Sequence, residues 1–291
     1  MIKPSYFGPN TMQICRSIPD IRAATTNLRA DGSVGLVTTM GALHAGHMAL
    51  VQAAKDAHDH VVATIFVNPT QFGNPADLAN YPRTEQADLD MLERAGVAAV
   101  FIPTAGDMYP TGDETIVETT QLANIYHGIV RPGHFRGVAT VVTKLFNIIG
   151  ANAAFYGEKD YQQLAVIRRM VRDLHMPIDI VGVPTVREAD GLAMSSRNVR
   201  LSPDDRAAAP ILIAALTAAE VLIEGGATVE AATDAIKATV GTEPRATLRA
   251  VDIVDAATFQ PASGKPTAPV GIIISAEFGD VLLIDQKEVT P

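Results

Sequence analysis

The stretch Thr38-Thr39-Met40-Gly41-Ala42-Leu43-His44-Ala45-Gly46-His47 sets two imidazoles three residues apart around a glycine, straight after the apolar run 34–37. Ring N–H groups at that spacing can donate to phosphate oxygens. Gly46 lets backbone come close to a ligand, and a helix beginning there offers unpaired N–H groups to an anion. A metal reading needs a third and a fourth ligand. The remaining histidines, at 58, 60, 127, 134 and 175, show no H-E-x-x-H or Cys-rich spacing, so no protein-held metal is expected. A plainer alternative stays open, in which both histidines are polar residues that start a helix.

Three further clusters carry chemistry. Gly157-Glu158-Lys159-Asp160 follows an apolar run and opens a helix that contains Gln163, so Lys159 can meet a β- or γ-phosphate as a compact charge. Met194-Ser195-Ser196-Arg197-Asn198 offers two adaptable hydroxyls and a guanidinium, a fit for a triphosphate. Asn68 and Gln71 are neutral amides that suit a small polar substrate. Each has a competing reading: a solvated lysine, a common polar loop, and an Asn-Pro turn at Asn68. Gln71 has no turn role.

The elements that must position these groups follow from periodicity. Apolar runs at 34–37, 61–67, 97–102, 153–156 and 178–183 read as buried strands, with helical patterns between most of them, as at 47–58 and 84–96. Strand and helix alternate, which predicts a Rossmann-like, doubly wound parallel α/β sheet with helices on both faces. In such a sheet ligands bind beyond the carboxyl ends of the strands, where the Met40–His47 and 157–160 turns fall. The Pro-, Gly-, Thr- and Asp-rich piece 103–121 reads as a surface excursion, and 137–149 as a helix ended by Gly150.

After Val186 the character changes. Ser202-Pro203-Asp204-Asp205 has a cap residue, a proline at the first helical position and an acid three residues on, so a helix of about 204–224 begins there. A second helix, 228–240, and strand-like runs at 247–254, 270–276 and 281–284 complete a smaller α+β domain. The reading is therefore two domains, 1–185 and 186–291.

Composition excludes several classes. A formal charge of −9 with no Trp and 5% aromatics speaks against a nucleic-acid surface. The single Cys15 allows no intrachain disulfide and reads as structural. The N-terminal residues lack the apolar core of a secretory leader, and the greasiest helical stretch, 211–223, holds Glu220 and is short for a membrane span. The expectation is a cytoplasmic protein that binds neither membrane nor nucleic acid.

Six stretches in order, MGALHAGH (40–47), FVNPTQFG (66–73), YPRT (81–84), GHFRGVATVVTKLFN (133–147), FYGEKDYQQL (155–164) and LAMSSRN (192–198), resemble the pantoate–β-alanine ligase family, the pantothenate synthetases. The resemblance runs from about residue 12 to the C-terminus; HxGH alone would mark only the wider nucleotidyltransferase superfamily. It implies a two-step ligation. ATP and (R)-pantoate give pantoyl adenylate and pyrophosphate, and β-alanine then displaces AMP to yield pantothenate. It also implies a magnesium requirement, a cytoplasmic homodimer and a C-terminal lid.

Position by position, Met40, Gly41, Ala42, Leu43, His44, Ala45, Gly46 and His47 match the ATP segment, with His47 as proton donor and His44 beside it. Gln71 matches the amide that contacts pantoate and β-alanine, and Gln163 a second pantoate ligand. Gly157, Glu158, Lys159, Asp160, Val186, Met194, Ser195, Ser196 and Arg197 match the other ATP contacts. Two departures bear on turn rigidity: Thr38 stands where the family usually has proline, and Ala45 where many members have glutamate. Asp88 reads as a helical surface carboxylate, with a supporting metal contact as the alternative. The rivals are another HxGH adenylyltransferase and a nucleotide sensor without turnover.

Overall fold

Each of the five apolar runs becomes a strand of one sheet. A computed structural model describes residues 11–73 and 75–291; most of the N-terminal stretch read for a leader lies outside them. The strands are β1 (Gln13–Cys15), β2 (Val34–Thr39), β3 (His60–Ile65), β4 (Ala99–Phe101), β5 (Ala153–Gly157) and β6 (Asp179–Val183), in the order β1-β4-β3-β2-β5-β6. β2 runs parallel to both β3 and β5, and β4 parallel to β3 and β1. From β2 the chain winds one way through β3 and β4, then returns to β2's other side at β5. That reversal is the switch point at which doubly wound sheets bind ligands.

The helices of ten or more residues are α1 (Ile18–Asp31), α2 (Ala45–Ala57), α3 (Glu85–Arg94), α4 (His134–Ile149), α5 (Tyr161–Asp173), α6 (Ile211–Glu224) and α7 (Val229–Val240). α2 and α3 bury Leu50, Val51, Ala54, Leu89 and Leu92 against Val37, Val61, Ala63 and Val100 of the sheet. The alternate strand residues Leu36, Val62, Phe101 and Ala154 are buried as well, which two-sided coverage requires. α1 packs on α4.

Several boundaries differ from the sequence reading, each for a local reason. β1 and α1 are additional to it, although Ser17-Ile18-Pro19-Asp20 is a helix start of the kind seen at Ser202; the Ser17 hydroxyl accepts from the Asp20 N–H at 3.3 Å. α4 begins a turn early, after Gly133 in the left-handed region. The 103–121 piece is no simple surface excursion: it contains a capped helical turn, Ala105–Met108, and Met108 is buried. Lys144 holds it down, donating to the Met108 carbonyl at 2.7 Å and pairing with Asp113. The expected 204–224 helix breaks in two, Pro203–Ala208 and α6, at Pro210, which has no N–H to donate.

The chain divides into two compact units, one comprising the chain up to Tyr156 with Val166–Val183, the other Gly157–Ala165 with Pro184–Pro291. In the second, β7 (Ala246–Asp255), β8 (Val270–Phe278) and β9 (Val281–Val289) form an antiparallel sheet covered by α6 and α7, with Leu212, Leu216, Ile223, Ile236, Ile272 and Phe278 in its core. Pro203–Glu224 reaches 22 residues and is apolar enough to cross a membrane, so length does not exclude a span. Its inner side chains Leu212, Ala215, Leu216, Ala219 and Ile223 belong to that core instead. The 157–165 segment joins this unit because Tyr161 packs on Phe259, donates to Glu288 at 2.8 Å and lies over Gly271, where any Cβ would overlap its ring.

Candidate active site

The two histidines of the β2–α2 turn do start a helix, each using Nδ1 as an acceptor. His44 is the N-cap of α2, its Nδ1 accepting from the Gly46 N–H at 3.1 Å, and His47 Nδ1 accepts from the His44 N–H at 3.3 Å. The rings lie 4.1 Å apart. An Nδ1 that accepts carries no proton, so in a neutral ring the proton sits on Nε2. One expectation is corrected. The N–H groups of His44 and Gly46 are engaged by the imidazoles, so these two are not the unpaired backbone donors expected at this helix start.

The turn ahead of them is strained and anchored. Gly41 and Ala42 lie in the left-handed region, with φ of 81° and 52°. Asp88, only 2% exposed, accepts from the Ala42 N–H at 2.9 Å and the Leu43 N–H at 2.8 Å. Its reading as a surface carboxylate is therefore wrong: the apolar face of α3 carries it inward with Leu89 and Leu92. Ala45 is exposed at the first position of α2. Thr38, in β2, donates its hydroxyl to the Tyr156 hydroxyl at 3.2 Å, a bond proline could not make. Burial pushes the Tyr156 phenol far up, so it stays protonated.

The amide cluster is equally built. Asn68 is 1% exposed and caps the short 3-10 turn Pro69–Gln71. Its Oδ1 accepts from the Thr70 hydroxyl at 3.0 Å and from Tyr109 at 2.8 Å, and its Nδ2 donates to Gln71 Oε1 at 3.0 Å and to the Gly137 carbonyl at 3.2 Å. With both amide hydrogens and both oxygen lone pairs used, Asn68 orients Gln71, and a substrate contact of its own would cost one of these bonds. Gln71, its oxygen so held, directs Nε2 toward Met40 Sδ at 3.0 Å. His134 Nδ1 meets the Gln71 carbonyl at 2.8 Å. Residue chemistry alone does not single out Tyr109, His134 or Gly137; the GHFRG run is visible only as a motif.

In the second unit, one pocket is lined by Lys159, Ser195, Arg197, Asn198 and Asp285 among others. Two clusters far apart in sequence thus converge. The 158–160 turn packs on β9, and Lys159 Nζ lies 3.8 Å from Asp160. The serine loop is reached through a hairpin turned at Gly191, where the Met194 N–H bonds the Val186 carbonyl at 2.9 Å. Arg187 secures it with a two-pronged pair to buried Asp285 at 2.7 and 2.9 Å, and Glu188 accepts from Asn198 at 3.0 Å. Ser195 Oγ accepts from the Arg197 N–H at 3.2 Å. Ser196, Met194, Val186, Gly157, Glu158 and Gln163 are half-buried in this unit.

The chain is similar to known proteins over nearly its whole length. Residues 13–288 match the family model described as pantoate-beta-alanine ligase. Pantothenate synthetase of Sinorhizobium medicae is 48% identical over 282 residues, 96% of this chain and 97% of that protein. Its counterpart in Bartonella tribocorum is 47% identical over 94% of this chain and 97% of its own. The crystal structure of pantothenate synthetase from Thermus thermophilus superposes with a TM-score of 0.91 at 44% identity, covering 96% of this chain and all of that one. The Francisella tularensis ligase, crystallised with beta-gamma ATP and beta-alanine, gives 0.78 at 35% identity over 95% and 97% of the two chains. With the match spanning both units, the chain belongs to the pantoate–β-alanine ligase family.

Proposed function

We propose that this ligase works through a pantoyl adenylate. A pantoate carboxylate oxygen attacks the α-phosphorus of ATP, the bond from that phosphorus to the bridging oxygen breaks, and pyrophosphate leaves. The neutral amine of β-alanine then attacks the acyl carbon, and the bond from that carbon to the oxygen shared with phosphorus breaks. AMP leaves with that oxygen, and the proton shed by the amine passes to solvent.

In the first step two anions meet, so positioning and charge neutralisation carry most of the catalysis. His44 and His47 donate Nε2–H hydrogen bonds to phosphate oxygens, His47 to those of the departing pyrophosphate. Lys159 and Arg197 offset charge on the phosphates, and Ser195 and Ser196 donate hydroxyl bonds. Met40 to Leu43, Ala45, Gly46, Gly157, Glu158, Asp160, Val186 and Met194 complete the nucleotide contacts. The Gln71 amide holds pantoate and then β-alanine, and Gln163 is a second ligand for pantoate.

Among the described residues no three His, Cys, Asp or Glu side chains gather as a metal cage, so magnesium would be held by phosphate oxygens and water, where it would offset charge. A homodimer in the cytoplasm is part of the same proposal, resting on the family alone.

The observation that carries this reading is that Lys159, Ser195 and Arg197, two cations and a hydroxyl from distant parts of the chain, line one small pocket. His47→Ala tests it. Loss of one well-aimed donor slows adenylate formation about a hundred- to a thousandfold, while the lost bond to the His44 N–H lowers stability by only about 1 kcal/mol. Single-turnover release of pyrophosphate from ATP and pantoate measures the first, thermal melting the second. Equal release rates for variant and parent would refute the role.

A further inference from the structure

A turn conformation that aims successive N–H groups at one point makes a concavity that elsewhere receives phosphate. Here Gly41 and Ala42 adopt that conformation, yet the anion in the concavity is the chain's own Asp88. Oδ2 takes the Ala42 N–H and Oδ1 the Leu43 N–H, while the Thr84 hydroxyl stands 3.2 Å from both oxygens. The fit is close on the third side too, since a Cβ at Gly41 would come within 3.0 Å of Asp88 Oδ2. The turn so gripped lies between Met40, which meets Gln71, and His44, which caps α2.

We infer that Asp88 is a positioning residue for the first half-reaction, an internal anion that holds the Met40–Leu43 turn in its strained shape so that His44 and His47 are aimed before any nucleotide arrives. It touches no reacting atom in this role. It also accounts for how the turn keeps its shape with threonine at 38. A neutral side chain could not do the same: in an amide one of the two acceptors becomes NH2, a donor facing a donor. This inference rests on the adenylate reading above.

Asp88→Asn is the test, read in both half-reactions. Adenylate formation, followed as single-turnover pyrophosphate release and normalised to folded protein, is expected to fall about ten- to a hundredfold, the scale set by misplacing a catalytic group by an ångström or less. Release of AMP from pre-formed pantoyl adenylate and β-alanine has no departing pyrophosphate for the imidazole pair to meet and is expected to fall by a clearly smaller factor than adenylate formation. A proportional loss in both half-reactions, or none in the first, overturns the inference. Should the parent itself release no pyrophosphate, the adenylate reading fails and not the anchor, which a second readout addresses separately. The Ala42 and Leu43 amide protons are expected far downfield in the NMR spectrum of the parent and shifted upfield in Thr84→Val and Asp88→Asn. Unmoved amide signals in a folded Asp88→Asn would refute the grip itself.

Discussion

At Gly137 one backbone lies directly on another. A Cβ there would stand 2.5 Å from the Thr70 carbonyl oxygen and 2.7 Å from the Gln71 nitrogen, distances at which backbone must move. The Gly137 carbonyl also takes an Asn68 amide hydrogen, so the helix that carries it sets the position of the whole amide cluster. Gly137→Ala should therefore displace Gln71, raising KM for pantoate about tenfold or more while KM for ATP changes less than about threefold, at a stability cost of about 1–3 kcal/mol from overpacking. Steady-state kinetics with each substrate varied, and a denaturant melt, check both; an unchanged pantoate KM would show that Gln71 tolerates the shift. The residue scale is also where sequence reading reaches least far. Residue type and spacing bring out His44, His47, Lys159 and Gln71, because each stands beside a turn. Nothing in the sequence separates Asp88 from the other carboxylates of α3 except its place beside Leu89 and Leu92 on the inward face, and the partners it meets there come from a distant turn.

Among the elements, the hairpin that leads to Ser195 and Arg197 is held by a second guanidinium besides that of Arg187. Arg206, in the short helix Pro203–Ala208, donates to Asp190 at 2.5 Å and to Glu188 at 2.7 Å, tying down the arm that enters the turn at Gly191. These bonds hold the carboxyls of Glu188 and Asp190 below their ordinary ranges. Groups with depressed values stabilise the fold fully above their unfolded values, about 4.3 for Glu and 3.9 for Asp. That stabilisation declines as pH falls through the folded-state values and is gone below them. Arg206→Met should accordingly be less stable than the parent by about 1 kcal/mol at about pH 7, a modest figure because the pairs are partly open to solvent, and the gap should close as the pH falls below the ordinary carboxylate range. Denaturant melts across that range measure it, and a gap that stayed constant with pH would assign the loss to packing. Elements are more legible than residues. Five strands announce themselves as apolar runs and most long helices by period, whereas β1, three residues long, is too short for either to register; the run at 178–183 is only half-buried as β6. The break at Pro210 escapes the periodicity because the apolar pattern continues across it, although proline is the one residue that cannot continue the ladder.

At the scale of the whole molecule, the sequence suggests a single cut near residue 185, while the chain passes between its two units at 156/157, 165/166 and 183/184. The difference arises in a short segment, 157–165, whose composition resembles that of its surroundings. Only its contacts, Tyr161 on Phe259 and over Gly271 with a bond to Glu288, assign it to the second unit. Gly271, on the central strand of the β7-β8-β9 sheet, leaves a gap that the Tyr161 ring fills. A protein beginning at Pro184 would retain α6, α7 and the three strands but would present that gap and Phe259 to water. Removing one aromatic ring from such a site costs about 2–3 kcal/mol. The fragment 184–291 should therefore fold, since its core of Leu212, Leu216, Ile236, Ile272 and Phe278 is intact, yet show amide exchange in β8 faster by about thirtyfold or more than the same amides in the full chain. Tyr161→Ala in the full chain separates this effect from any other consequence of truncation and should accelerate the β8 amides by a comparable factor. If it leaves them as slow as in the parent, the 157–165 segment is a passenger on the second unit, and the position of Lys159 must be fixed by the strand that precedes it.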